Sequence, residues 1–399
     1  MFRSGLTGGA SAASDEPEAM SESSARDEMD SSYDENGIEV PASRGALALL
    51  RKEESVEKHM TVAVDVAKNV FEIAVSQDPG RVCLRRRLSR NQLIPFFRGQ
   101  PPSTVLLEAC GSAHHWGRLL EGLGHRVLLL PPHHTRRYVL RDKTDRADAT
   151  ALLEAHRNEQ ISPVPLKTLH QQTLASLHRL RSSWVATRTA RLNTLRGLLR
   201  ELGISIPLGP RHVLPAIQAA LSDPSAPVPE PLHPALLRAA QEIHQIENSI
   251  RDTELELQAL AKNLPATLTL QTIPGIGLLT STALVAFVGN PSRFRSGRRL
   301  ASFLGLVPRE HSSGSSRHLG SITKRGDPYL RTLLTHGARS VLLAAKRHHH
   351  PNPLQLWALS IQTRRGHNKA TVALANKLAR IAWAVWSRNQ PFQPHRLAA

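Results

Sequence analysis

The feature that most constrains the fold is a change of apolar period along the chain. Val62, Val64 and Val66 alternate with small or polar residues, and Val70–Val75 repeats the same two-residue pattern. Val82–Leu88 is a third candidate strand. Beyond it the pattern alternates: a short helix near Asn91–Arg98, a strand at Thr104–Glu108, a helix at Ala113–Gly122, a strand at Arg126–Leu130 and a helix from about Asp145 to Arg157. Strands first, then alternating helix and strand, predict an α/β unit with a mixed sheet. The order β-β-β-α-β-α-β-α is that of the ribonuclease H fold.

After Leu169 the period becomes helical and stays so. Leu174, Leu177, Trp184, Val185, Leu192, Leu195, Leu199 and Leu202 fall on one face, and a run of arginines falls mostly elsewhere. A proline-rich stretch, Pro207–Pro234, interrupts the pattern. A second helix to about Asn263 carries Ile243, Ile246, Ile250, Leu257 and Leu260 at heptad-like spacing, with Glu247 and Arg251 four apart. The pair predicts a coiled-coil hairpin; an ordinary bundle within one chain is the competing reading. From Leu268 onward, helices near Arg331–Lys346, Leu354–Gln362 and Lys369–Ser387 flank a segment rich in Ser, Gly and Arg. The expected divisions are an acidic tail at 1–58, an α/β domain at 59–160, a helical hairpin at 161–264 and a mainly α domain at 265–390.

Charge narrows the partner. The net charge of +18 conceals an acidic tail: residues 1–58 hold 13 acidic and 6 basic residues, a net −7, so the rest carries +25. A basic body of that size points to nucleic acid. Forty-one of the 51 basic residues of the whole chain are arginine, which suits bidentate phosphate contacts. Two cysteines, Cys83 and Cys110, exclude a disulfide framework and read as small core residues of a reducing compartment. No apolar run is long enough for a membrane span, and the Ser-rich acidic start is no signal peptide, so a cytoplasmic protein with no membrane partner is expected.

Within this frame, four carboxylates stand out. Asp65 sits in VAVDVAKNVFEIAV, Glu108 ends TVLLE, and Asp145 and Asp148 share a helix face three residues apart. An acid in an apolar strand is costly if buried alone, and a hard divalent cation such as Mg²⁺ would relieve that cost. Salt-bridged acids at strand ends are the plainer alternative. A second candidate is the cluster Ser312, Ser313, Ser315 and Ser316, with Arg309, Arg317, Lys324 and Arg325 close in sequence. A nucleophilic serine needs such cations, although a Gly-Ser loop can also be only a flexible connector. Pro274-Gly275-Ile276-Gly277 could bring backbone N–H groups to a phosphate or could be a plain turn between helices. The paired histidines have no zinc-like spacing and read as surface residues.

Taken together, VAVDVAKNVFEIAV, VLLEACGSAHHW, RDKTDRADATALLEAHR, IPGIGLLTSTALVAFVG, FRSGRRLASFLGLVPREHSSGSS and ITKRGDPYLRTLL resemble the transposases of the IS one-ten / IS eleven-eleven insertion sequences. The resemblance spans about residues 60 to 390. It implies a DEDD domain like those of Holliday-junction resolvases, with Asp65, Glu108, Asp145 and Asp148 as its acids. It implies a coiled-coil hairpin and a C-terminal domain with a nucleophilic serine. That serine corresponds to Ser313, with Ser312 adjoining it. The implied activity is RNA-guided DNA recombination at a composite Mg²⁺-plus-serine site. The implied partners are double-stranded DNA at the element ends and target, a structured noncoding guide RNA, and further copies of the chain, two when RNA is bound and four in the synapse. A metal-dependent junction-resolving nuclease and a non-enzymatic nucleic-acid-binding descendant are the alternatives.

Overall fold

A computed structural model describes residues 60–78, 81–139, 144–347 and 349–394. The acidic tail lies outside them. Five strands form the sheet predicted for the first region: β1 (Thr61–Val66), β2 (Val70–Asp78), β3 (Arg81–Ser89), β4 (Thr104–Glu108) and β5 (Arg126–Leu130). Their order is β3-β2-β1-β4-β5. The first three are antiparallel neighbours, while β4 runs parallel to β1 and β5 parallel to β4. Parallel pairs need crossovers, and the helix α2 (Ala113–Glu121) supplies the one between β4 and β5.

Two apolar layers follow from the two-residue period of the strands. Val62, Val64, Phe71, Ile73, Val105 and Leu107 face α2 and the short α1 (Leu93–Arg98), where Phe97 and Trp116 are buried. Ala63, Ala74, Leu106 and Leu130 face the other way, against Ala149, Leu152 and Leu153 of α4 (Asp145–His156). Small residues on β1 and β2 allow α4 to lie close. A four-residue α3 (Pro132–Thr135) precedes it. The tight turn and strand edge leave Cys83 exposed and Cys110 half-buried, so neither is the core residue its type suggested.

Residues Asn158–Thr168 leave this domain as an extended link, with Val164 bridged to Leu129 on the open edge of β5. A capping box between Thr168 and Gln171 then starts α5 (Leu169–Glu201), which packs on α7 (His233–Lys262). The ion pairs Arg181–Glu254, Arg188–Glu247 and Arg191–Glu242 descend along one helix as they ascend along the other, so the two are antiparallel. The expected Glu247–Arg251 pair is replaced: Glu247 reaches Arg188 at 3.7 Å, and Arg251 donates to Asn248. Part of the arginine stripe is therefore spent within the hairpin. The proline-rich interruption is itself folded. It contains α6 (Val213–Ser222), whose Val213, Ile217 and Ala220 join Leu195, Leu199 and Leu236 in a separate small core.

The remaining chain builds the largest core. α8 (Pro265–Gln271), α9 (Leu278–Val288), α10 (Gly297–Phe303), α11 (Pro328–Arg347), α12 (Pro353–Arg365) and α13 (His367–Arg388) surround it, with Leu174 and Leu257 reaching in from the helical hairpin. α9 is apolar nearly all round and lies at the centre. A two-stranded antiparallel hairpin, β6 (Pro308–Glu310) with β7 (Leu319–Ile322), projects from this body. The Ser-Gly segment is the tip of that hairpin.

Candidate active site

Three strand carboxylates share the α4 side of the sheet. Asp65 is two residues past Ala63 and Glu108 two past Leu106, so both point as those core residues point. Glu72 stands directly across from Asp65 in the β1–β2 register and two residues before Ala74. The first turn of α4 adds Asp145 and Asp148, positioned by Thr144, whose hydroxyl accepts from the Ala147 N–H. The four predicted acids are thus gathered at one end of the sheet. Glu72 is a fifth that sequence reasoning passed over; its signal was the hairpin register, which sets it opposite Asp65.

The electrostatics bear this out. The carboxyl of Asp65 is pushed up to about 6, first by burial and then by Asp148, Asp145, Glu108 and Glu72. Only Glu72 among the five has an ion pair within the described residues, with Arg87 at 3.2 Å. Arg85, on the same face of β3, donates to Thr150 and to the Arg146 carbonyl of α4. The arginines of β3 therefore border the acids, Arg87 pairing with Glu72 and Arg85 turning to α4.

Oxygen donors fit a hard divalent cation, and a cation would relieve the repulsion and burial that raise Asp65. Among the described residues, however, no three acidic, His or Cys side chains are gathered tightly enough to hold an ion. Ligation by three of these carboxylates therefore requires them to draw together.

The serine lies elsewhere. Ser313 and Ser316 bridge each other across the hairpin tip, with reciprocal backbone hydrogen bonds of 3.2 and 3.1 Å. Gly314 takes φ +55 in the first position of this two-residue turn, a conformation that glycine adopts without strain. The Ser312 hydroxyl donates to Glu310 and accepts from the His318 N–H. Ser316 is engaged with His318 at 2.9 Å. Ser313 makes no side-chain hydrogen bond among the described residues, and its residue is exposed. Of the two adjoining candidates, Ser313 has the free hydroxyl.

The expected cations are divided. Arg309 is exposed, whereas Arg317 is paired with Glu310 at 2.9 Å. Lys324 and Arg325 sit at the root of the hairpin, where the Lys324 N–H donates to the Gly305 carbonyl. Gly305 at φ +70 and Gly326 at φ +95 interlock there: a Cβ on Gly305 would lie 2.0 Å from the Arg325 oxygen, and one on Gly326 would lie 2.0 Å from the Phe303 oxygen. Gly275 also has a packing role. Its φ is +85, and its Cβ would meet the Gly337 oxygen of α11 at 2.7 Å. Gly277 is exposed at the start of α9.

The paired histidines are accounted for by packing and exposure rather than by a metal. His114 accepts from the Lys167 N–H and is lowered to about 4, first by burial and then by Lys167, Arg118 and Arg179. His348 lies outside the described residues. A histidine that the sequence did not single out, His178, is fully buried between Tyr329 and Thr282 at 2.9 and 3.0 Å. It ties α5 to α9 and α11.

No described helix is long and apolar enough to cross a membrane. Residues 62–204 match a DEDD transposase family of the IS110 type, described as "Transposase", and residues 268–352 match "Transposase IS116/IS110/IS902 family". The chain is 40% identical over 334 residues to a probable family 20 transposase of Pseudomonas aeruginosa, covering 84% of this chain and 98% of the relative. It is 36% identical over 343 residues to the transposase for insertion sequence element IS1111A of Coxiella burnetii, covering 86% and 94%. A pilin gene-inverting protein of Moraxella lacunata is 36% identical over 124 residues, covering 31% and 37%. Matched by both transposase models and by the Pseudomonas and Coxiella relatives along nearly their whole length, the chain belongs to the IS116/IS110/IS902 family of transposases, enzymes of DNA strand transfer.

Proposed function

We propose that this transposase cuts and rejoins DNA through Ser313, at a site completed by the carboxylates of another subunit. The observation that carries the reading is the contrast between Ser312, tied to Glu310, and Ser313, whose hydroxyl is free. The Ser313 Oγ attacks a DNA phosphorus and its proton leaves to a base. The Oγ–P bond forms as the P–O3′ bond breaks, and O3′ takes a proton. Attack of a second O3′ on the phosphoserine reverses these bonds and joins the new strand.

Asp65, Glu108, Asp145 and Asp148 would hold divalent metal, with Mg²⁺ the choice for hard oxygen ligands. When bound, it supplies charge stabilisation at the phosphate. The sheet order β3-β2-β1-β4-β5 supports a ribonuclease H-like domain of the junction-resolvase kind. The serine hairpin and the acids share no hydrogen bond or ion pair among the described residues, which supports assembly of the site between subunits. A dimer, pairing to a tetramer in the synapse, meets that need. The basic body supports double-stranded DNA and a structured noncoding guide RNA as partners, with target choice made by base pairing.

The test is a denaturing gel of full-length protein with element-end DNA, Mg²⁺ and flanking RNA. Wild type and Ser312→Ala give a protein–DNA adduct, and Ser313→Ala gives none. Cleavage that survives Ser313→Ala overturns the serine reading in favour of a metal-dependent nuclease.

A further inference from the structure

Between the serine hairpin and the helices α12 and α13 lies a groove of about 1090 Å³ that the strand-transfer reading leaves unused. Its apolar lining comes from Leu306, Ile322, Val372 and Ala373, the last two on α13. Lys369, Lys377 and Arg380 lie on the same face of α13 as Val372 and Ala373, so cationic and apolar side chains alternate along it. At 1.5 Å per residue these cations span about 16 Å along the helix, more than one phosphate occupies. No acidic side chain lines the groove, and none of the three cations has an ion pair among the described residues. The Lys377 Nζ sits 4.1 Å from the centre of the Trp357 ring. Burial and the neighbouring Arg380 lower the Lys377 ammonium from its ordinary range. Lys369 and Arg380 are exposed, so the row of like charges is open to an anion, which would relieve its mutual repulsion.

The ligand must satisfy both the cations and the apolar lining. A lone phosphate is too small for the row and leaves the apolar lining uncovered. A duplex offers phosphates but keeps its base faces stacked inside. An unpaired strand offers both phosphates and base faces. We propose that the groove is a binding site for a single-stranded polynucleotide, with its phosphates on Lys369, Lys377 and Arg380 and its bases against Trp357 and the apolar lining between them. The groove is coupled to the serine by covalent structure: Pro308 and Gly320–Ile322 of the hairpin line it, and Asn376 of α13 donates to the Leu306 carbonyl at the hairpin's root. A strand seated there runs under the hairpin that carries Ser313. The proposal deepens the strand-transfer reading, adding a seat for the unpaired strand beside the cut.

Fluorescence anisotropy of the full-length protein with labelled oligothymidylate, oligouridylate and a duplex of equal length provides the test, run across a salt series. Lys377→Gln/Arg380→Gln removes two phosphate contacts, so the log–log salt slope for single strands falls by about 1.4. Trp357→Leu weakens single-strand binding by about tenfold and leaves the slope unchanged. Melting curves establish that each variant is folded; if Trp357→Leu is not, the paired charge variant decides. Weakening confined to one of the two polymers identifies DNA or RNA as the ligand. Unchanged single-strand affinity and slope, or an equal loss for the duplex, overturns the proposal. Failure of the serine reading shows instead as an adduct that survives Ser313→Ala, so the two failures are separable.

Discussion

The acids and the serine are presented in opposite ways. The carboxylates stand on core strands and a capped helix, where the fold forces like charges together and raises Asp65 to about 6. Ser313 stands at the tip of an exposed two-stranded hairpin, with no side-chain hydrogen bond among the described residues, while interlocking glycines fix the hairpin's root. A site that stores repulsion needs a rigid frame, because a loose one would spread the charges apart. Under the proposed mechanism, a nucleophile that must meet DNA held by another subunit needs reach. The molecule separates these requirements between two domains with separate cores.

The sharpest way to break this comparison is to disable one region per chain. Ser313→Ala and Asp148→Asn proteins are each expected to lose strand transfer by about 10³-fold or more. Mixed and allowed to exchange subunits, they should regain a substantial fraction of wild-type activity, because half of the random dimers then contain one intact acid–serine combination. A mixture that stays inactive would place serine and acids in the same subunit. The next effect concerns the fixed root. Gly305→Ala forces a Cβ onto the Arg325 backbone at a positive φ, and we expect about 3 kcal/mol of lost stability in denaturant melts. Metal binding by the sheet domain, followed by calorimetry below the melting transition, should be unaffected. An equal loss of metal binding would show that the two regions are coupled through the fold.

The sheet domain was legible because strand alternation and the positions of Asp65 and Glu108 are local signals. The pair Asp145 and Asp148 was legible from helical spacing. Glu72 was missed because its role depends on register: nothing within VFEIAV marks it until β2 folds back on β1. The hairpin at Ser313 read as a loop because β6 and β7 are short and exposed, with no apolar face to impose a period. α6 was hidden by the prolines on either side, although its apolar residues close the small core at the end of the long hairpin. His178 gave no signal at all, since its partners lie 104 and 151 residues away.

Two groups, His178 of the helical body and Asp65 of the sheet, should also answer acid in opposite directions, with His114 of the sheet domain sharing the sign of His178. Burial, and then Arg181, hold His178 at about 4 against an ordinary 6.5. The folded state keeps it neutral while the unfolded chain takes up a proton, so stability is full above pH 6.5 and falls as pH drops from 6.5 towards 4. The loss approaches about 3 kcal/mol. Thermal melts of wild type against His178→Gln should show this pH dependence flattened in the variant. A slope that persists would assign the acid sensitivity to other groups.

Asp65 gives the smallest and opposite effect. Its carboxyl is raised in the fold, so its charge costs nothing below pH 3.8, and the cost grows from 3.8 to about 6 and is constant above that. In metal-free protein, Asp65→Asn should therefore raise stability at pH 8 by an amount on the order of 1 kcal/mol, discounted for solvent screening at a half-exposed group, and should give no gain below pH 4. Added Mg²⁺ should reverse the ranking, stabilising the wild type and not the variant, because the repulsion removed by the substitution is what a cation draws on. If Asp65→Asn is neutral at pH 8, the carboxylates are not repelling one another, and the contrast between a charged frame and a free serine fails on its acidic side.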